Sequence, residues 1–145
     1  MSTVSRGSRS RRFVGSLVQP EFFLDRGLGR RVAEGLTELG WIVHRAAAHF
    51  PHDAQDVEDE VWLSYGLDRG WSPLCKDGRI KGRHAEREPL ELYGGVLFYL
   101  DNQRLVVADM IERFHASQAA IYRAIERGGP RAYAVGASGI RSTWP

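Results

Sequence analysis

The sequence predicts an α/β domain with a central, mainly parallel sheet of four or five strands, and three observations carry that prediction. Short apolar runs bounded by breakers recur along the chain (Phe22-Phe23-Leu24, Trp41-Ile42-Val43, Trp71 to Cys75, Val96 to Leu100), as suits strands buried on both faces. Between them, apolar residues fall at spacings of three and four, the period of a helix with one buried face. Strands and helices alternate, and that order builds right-handed βαβ crossovers.

Pro20 precedes the first strand, Phe22 to Leu24, which stops at Asp25. Leu28, Val32, Leu36 and Leu39 mark the first helix, with Gly40 placed to end it. Trp41 to Val43 is the second strand, followed by a polar loop holding His49, Pro51, His52 and Asp53. The next helix carries Glu58, Asp59 and Glu60 in its first turn, presents Trp62, Leu63 and Leu67 on its apolar face, and ends at Gly70. Trp71 to Cys75 is the third strand. Pro73 within it cannot donate a ladder hydrogen bond, so that strand is expected at an edge or paired locally on one side only. Lys76-Asp77-Gly78 turns into a basic helical stretch through Glu91, and Val96 to Leu100 is the fourth strand. Val106 to about Glu126 reads as one long helix ended by Gly128-Gly129-Pro130, and Ala132 to Val135 as a last strand.

This organisation predicts a basic flexible extension over residues 1–19, a domain over 20–136 and a loose tail over 137–145. At 145 residues the chain is long enough to bury about two-thirds of its unfolded surface in one core. Lys and Arg number 20 against 18 Asp and Glu, so global charge alone does not demand a nucleic-acid partner. The distribution says more: Arg6, Arg9, Arg11 and Arg12 lie in the extension, whereas acids gather between Asp53 and Glu60. A single cysteine, Cys75, rules out an intrachain disulfide and fits a reducing cytoplasm. No run approaches the roughly 20 apolar residues that cross a bilayer, and the N-terminus lacks the apolar core of a signal peptide. A cytoplasmic protein without membrane association is expected.

In parallel sheets, function gathers beyond the carboxyl ends of the strands. Asp25 closes the first strand and Asp77 the third, and for the two to meet those strands must be neighbours, which gives a local order of 2-1-3-4. The helix between them brings Asp59 and Glu60 to the same end if it runs antiparallel to the strands. Two or more carboxylates with room for water and phosphate suit a hard divalent ion, Mg2+ or Mn2+, and hydrolysis of a phosphodiester. Arg26, Lys76, Arg79, Lys81 and Arg83 are close enough in sequence to hold flanking RNA phosphates.

Each of these residues also has a plain structural explanation. Acids in a helix's first turn are favoured by about 0.3 to 1 kcal/mol each. Asp25 can serve as a turn residue, Asp77-Gly78 is a common turn pair, and the arginines can be solvated helix faces. His44, His49 and His52 match no standard zinc spacing. Cys75 suits a buried strand better than an activated thiol, and Trp41, Trp62 and Trp71 suit the core better than base stacking. Gly27-Leu28-Gly29 lacks the remaining residues of a phosphate loop.

Taken together, Phe22-Phe23-Leu24-Asp25-Arg26-Gly27-Leu28-Gly29, Asp59-Glu60-Val61-Trp62-Leu63, Gly70-Trp71 and Lys76-Asp77-Gly78-Arg79-Ile80 resemble the PIN-like domain family of VapC-type toxin ribonucleases. The resemblance covers roughly residues 21–114. It implies a PIN-like three-layer sandwich and a divalent-metal-dependent endoribonuclease that works as the toxin component of a toxin–antitoxin system, with RNA as substrate and a cognate antitoxin protein as partner. Asp25, Asp59 and Asp77 match the family's acidic metal positions, and Glu60 is a neighbour able to substitute. Glu86 and Asp101 are candidates for the fourth acid. Arg26, Lys76 and Arg79 would contact RNA phosphate. The sequence departs from the family at Gly27, where many relatives carry a small hydroxyl residue, in a longer loop from His52 to Glu58, and at Pro73. A homodimer stays open.

The rival reading is a catalytically inactive PIN-like module that binds RNA or a protein partner. A receiver-like phosphoacceptor fits less well, because the first strand ends in one acid rather than an acidic pair.

Overall fold

A computed structural model describes residues 18–54, 56–77 and 84–145, leaving aside the side chains of Asp53 and of residues 84–86. Nearly all of the basic extension, together with Arg79, Lys81 and Arg83, lies outside the described residues.

In chain order the elements are β1 (Glu21–Leu24), a 3-10 turn (Arg26–Leu28), α1 (Gly29–Glu38), β2 (Ile42–Arg45), the short α2 (Ala46–His49), a second 3-10 turn (His52–Ala54), α3 (Asp59–Asp68), β3 (Ser72–Cys75), α4 (His84–Tyr93), β4 (Val96–Leu100), α5 (Val107–Ala116), α6 (Gln118–Arg127), β5 (Arg131–Gly136) and β6 (Gly139–Trp144). The strands form one sheet in the order β2-β1-β3-β4-β5-β6, and every neighbouring pair is parallel except β5 with β6. The expected 2-1-3-4 arrangement is therefore present. It follows from the crossovers: each helix returns the chain to the same end of the sheet.

Because successive strand residues point to opposite faces, the β1 run Phe22-Phe23-Leu24 serves two cores. Phe22 and Leu24 join Val32 and Leu36 of α1, Met110 and Phe114 of α5 and Ile121 of α6. Phe23 joins Trp62, Leu63 and Leu67 of α3 and Leu90 of α4. The sheet thus lies between two helical layers, the three-layer α/β/α sandwich that the resemblance implied. All five residues of β4 are buried, as a strand covered on both faces requires.

Four readings change on contact with the structure. β3 is interior, between β1 and β4, so Pro73 is not on an edge strand. Pro73 has a register partner, Phe23, on β1, whereas the β4 ladder begins only at Leu74 opposite Phe98; one-sided pairing accommodates the proline. The single long helix is two, broken at buried Ser117, whose N–H donates to Phe114 O at 3.1 Å while its carbonyl accepts the Ile121 N–H at 2.8 Å. The apolar period continues across the break, which hid it. The tail expected to be loose is β6, a sixth strand in hairpin register with β5 from Gly136 opposite Gly139 to Ala132 opposite Trp144. The polar loop after β2 contains α2 and a 3-10 turn.

Glycines at two helix interiors separate packing from propensity. A Cβ on Gly66 of α3 would lie 2.5 Å from Phe23 Cδ2 and 2.9 Å from Cγ, and Phe23 is fully buried among Trp62, Tyr65 and Trp71. On Gly35 of α1 it would meet chiefly the Cδ1 end of the half-buried Ile111, which can swing aside about its outer torsion more easily than a buried ring. Replacing glycine by alanine inside a helix is worth up to about 1 kcal/mol of stability when nothing clashes. Urea unfolding should therefore show Gly66→Ala destabilised by about 1–3 kcal/mol through overpacking, with Gly35→Ala neutral or more stable. Equal midpoints for wild type and Gly66→Ala would contradict the rigid contact between α3 and β1.

Candidate active site

Asp25 sits at the point where β1 ends and the chain turns. Its backbone N–H still reaches across to Leu74 O on β3 at 3.0 Å. Its side chain then caps the 3-10 turn, with Oδ1 accepting the Leu28 N–H at 3.0 Å, and ties to the end of β3, with Oδ2 accepting the Lys76 N–H at 3.2 Å. Gln103, just past β4, donates through Nε2 to Lys76 O at 3.0 Å and to Leu100 O at 3.4 Å. The carboxyl ends of β1, β3 and β4 are thereby stitched together by polar contacts.

The Asp25 residue is half-buried, and its carboxylate touches no cationic side chain among the described residues. Burial pushes its pKa from an ordinary 3.8 up to about 6, against the lowering effect of the Lys76, Leu28 and Gly27 N–H groups, and nearby Asp77 pushes the same way as burial. Asp59 opens α3, and its Oδ1 accepts the Trp62 indole N–H at 2.9 Å. The fully buried Cys75 thiol registers all three acids at once. Its pKa is held well above the usual thiol range by burial and further raised by the charges of Asp25, Asp59 and Asp77, all three of which belong to this end of the sheet. Cys75 is inert there, as its strand position suggested.

Glu60 is the next residue along α3 and is exposed. Arg26 is exposed, and Lys76 is half-buried over Gly27. A Cβ on Gly27 would come within 3.2 Å of Asp25 Oδ1 and 3.6 Å of Lys76 Cβ, so glycine keeps the approach to the carboxylate open. The third cation expected at the site, Arg79, lies outside the described residues. Of the candidates for a fourth acid, Asp101 follows β4 but is engaged by Arg113 of α5 at 3.4 Å and Arg141 of β6 at 3.7 Å, and the Glu86 side chain lies outside the described residues.

The histidines have other work. His44 Nε2 lies 2.8 Å from Glu21 Oε1, and its ring stacks on Trp71 at 3.7 Å. His49 Nδ1 lies 3.0 Å from the Tyr65 hydroxyl, and burial, then His44 and Arg69, lowers its pKa. Trp41 and Trp62 are core residues.

Do these residues suit a hard divalent cation? Among the described residues, no three of His, Cys, Asp and Glu converge closely enough to hold an ion by themselves. Mg2+, however, is commonly bound by one or two carboxylates, with water and substrate phosphate completing its shell. A buried carboxylate supported only by N–H dipoles, beside a second acid and under an open glycine, suits that kind of site. Sequence reasoning named the acids but missed the Trp62 and Gln103 side chains that order their surroundings. The D-x-x-W spacing was the available signal for the first, since residues three apart share a helix face.

Comparison with known proteins places these features. The sequence model of the PIN-like domain family matches residues 20–102. A Mycobacterium tuberculosis protein that carries the provisional name ribonuclease VapC45 is 32% identical over 120 residues, 81% of this chain and 87% of that protein. No solved structure matches the chain significantly.

The raised Asp25 pKa has a stability consequence whose sign is fixed. A carboxyl that binds its proton more tightly when folded lends stability that is fully present below pH 3.8 and is lost as pH rises through about 6. At about 1.4 kcal/mol per pH unit, the loss is on the order of 3 kcal/mol at most. In chelator, wild-type unfolding free energy should therefore carry a decline between about pH 4 and 7 that Asp25→Asn lacks. Parallel pH profiles for the two proteins, followed by urea titration, would contradict the burial of this charge.

Proposed function

The chain belongs to the PIN-like domain family, and from that membership we propose that it is a divalent-metal-dependent endoribonuclease, the toxin component of a toxin–antitoxin system acting in the cytoplasm. The observation that carries the reading is the half-buried Asp25 carboxylate at the carboxyl end of β1, held by backbone N–H groups with no cationic partner among the described residues and tied by a hydrogen bond to the end of β3 where Asp77 lies. The family match and the name borne by the M. tuberculosis relative support the same activity.

In this reading Asp25 and Asp77 are the primary metal ligands, and Asp59, with Glu60 beside it, completes the acidic site. When bound, Mg2+ or Mn2+ supplies Lewis-acid polarisation of the phosphoryl group and activation of water for in-line displacement. The protein's part is to fix the carboxylates and to seat the RNA. Arg26 and Lys76, with Arg79 two residues beyond Asp77 in the sequence, hold the phosphates on either side of the scissile bond, which positions the strand without reading its bases. The open face above Gly27 leaves space for a phosphate beside Asp25. A cognate antitoxin would act by covering this acidic and basic surface. No helix among the described residues is long and apolar enough to cross a membrane.

One observation favours the inactive-module alternative: Asp101, a candidate fourth acid, is paired with Arg113 and Arg141. That alternative keeps RNA affinity without cleavage. The experiment is incubation of the purified protein, freed of any antitoxin, with structured and unstructured RNA in Mn2+. Cleavage should vanish with chelator and fall by about 100-fold or more in Asp25→Asn and in Asp77→Asn, the scale of losing several kcal/mol of transition-state charge stabilisation. Circular dichroism should stay unchanged. Wild-type rates in both variants would sink the site assignment, and binding without cleavage by folded wild type would establish the alternative.

A further inference from the structure

We infer that Trp62 is a positioning residue of the acidic site: its indole N–H clamps one oxygen of Asp59 and so presents the other to the cation. This rests on the metal-dependent reading above.

An Asp in the first turn of a helix has several uses. Its side chain can swing back to accept its own helix's N–H groups, or it can point to water. Neither is the arrangement here. Oδ1 of Asp59 accepts from Trp62 Nε1 at 2.9 Å, one turn along the same face. The donor is immobile. Trp62 is only 4% exposed and packs on the fully buried Phe23, with ring centroids 5.7 Å apart. A buried indole N–H needs an acceptor, and Asp59 is the acceptor it has, so the pair is satisfied mutually and the carboxylate is held to one rotamer.

The consequence is directional. A carboxylate has two oxygens with about four acceptor sites. The clamp occupies Oδ1, and Oδ2 has no protein donor among the described residues. Asp59 opens α3, which returns the chain from β2 to the parallel β3, so this acid belongs to the end of the sheet where β1 and β3 stop. A group that a merely capping role would leave free to rotate is instead held in one orientation. Hydrogen bonds that orient a metal-binding carboxylate typically matter by 10- to 100-fold in metal affinity.

Mn2+ binding to the full chain, measured by electron paramagnetic resonance and calorimetry without RNA, tests this. Trp62→Phe should weaken Mn2+ about 10-fold, and replacing Trp62 by 3-benzothienylalanine, which keeps the ring volume and removes only the donor, should do the same even if the phenylalanine variant folds poorly. In an Asp59→Ala background neither change should alter affinity further. Thermal unfolding checks that each protein is folded. Wild-type affinity in the benzothienyl variant overturns the inference alone, as does Asp59→Ala binding Mn2+ normally or a Trp62 effect that persists without Asp59. Absence of Mn2+ binding by wild type overturns this inference and the metal-dependent reading together.

Discussion

The N–H of Asp25 donates to Leu74 O, and its carboxylate accepts from Lys76 N–H, so the first residue beyond β1 is fastened to β3 through both its main chain and its side chain. Shift that register by one residue and every side chain of β1 would exchange cores, placing Phe23 where Phe22 and Leu24 now pack. The site inherits its geometry from this pairing. Because β1 and β3 run parallel and adjacent, their two terminal acids are at one end. Because α3 returns antiparallel between β2 and β3, its acidic first turn reaches that end as well.

Such a site is costly to the fold. A half-buried carboxylate with no cation partner among the described residues is tolerated only with help, and here three backbone N–H groups supply it incompletely, leaving the pKa raised. Elsewhere in the molecule acids are treated differently. Asp101 holds two arginines that link β4 to α5 and β6, and Glu21 holds His44. Among the described residues Asp25 differs from these paired acids in having only backbone donors, a difference that the sequence does not display, since both kinds follow or occupy strands. Burial of Phe22, Phe23 and Leu24 on the two faces of the sheet provides the packing against which this cost is set.

Much of this was legible in the residues. The strands of a sheet covered on both sides are nearly continuous apolar runs, so β1, β3 and β4 were readable, and Val96–Leu100 has the expected bounds. The order 2-1-3-4 followed from asking where Asp25 and Asp77 could meet. What was not legible is non-local. Ser117 interrupts no period, yet tertiary packing bends the chain there. β6 becomes a strand only because β5 offers an edge and because the Tyr99 hydroxyl donates to Thr143 Oγ1, whose own hydroxyl donates to Ala132 O. Pro73 was expected to force an edge or one-sided pairing, and the stagger between β1 and β4 provides the second. At the site, the positions of the acids could be read from strand ends, whereas the indole clamp on Asp59 and the arginines on Asp101 depend on rotamers that a sequence does not display.

The proposed hard-cation site joins Asp25 and Asp77 at the carboxyl ends of β1 and β3. Diffraction from crystals of the protein soaked in Mn2+, recorded where manganese scatters anomalously, tests it most directly. The account predicts one anomalous peak in contact with the Asp25 carboxylate and facing Asp77. A fully soaked crystal with no peak there, or with manganese bound only at the histidines or at Asp101, would contradict it.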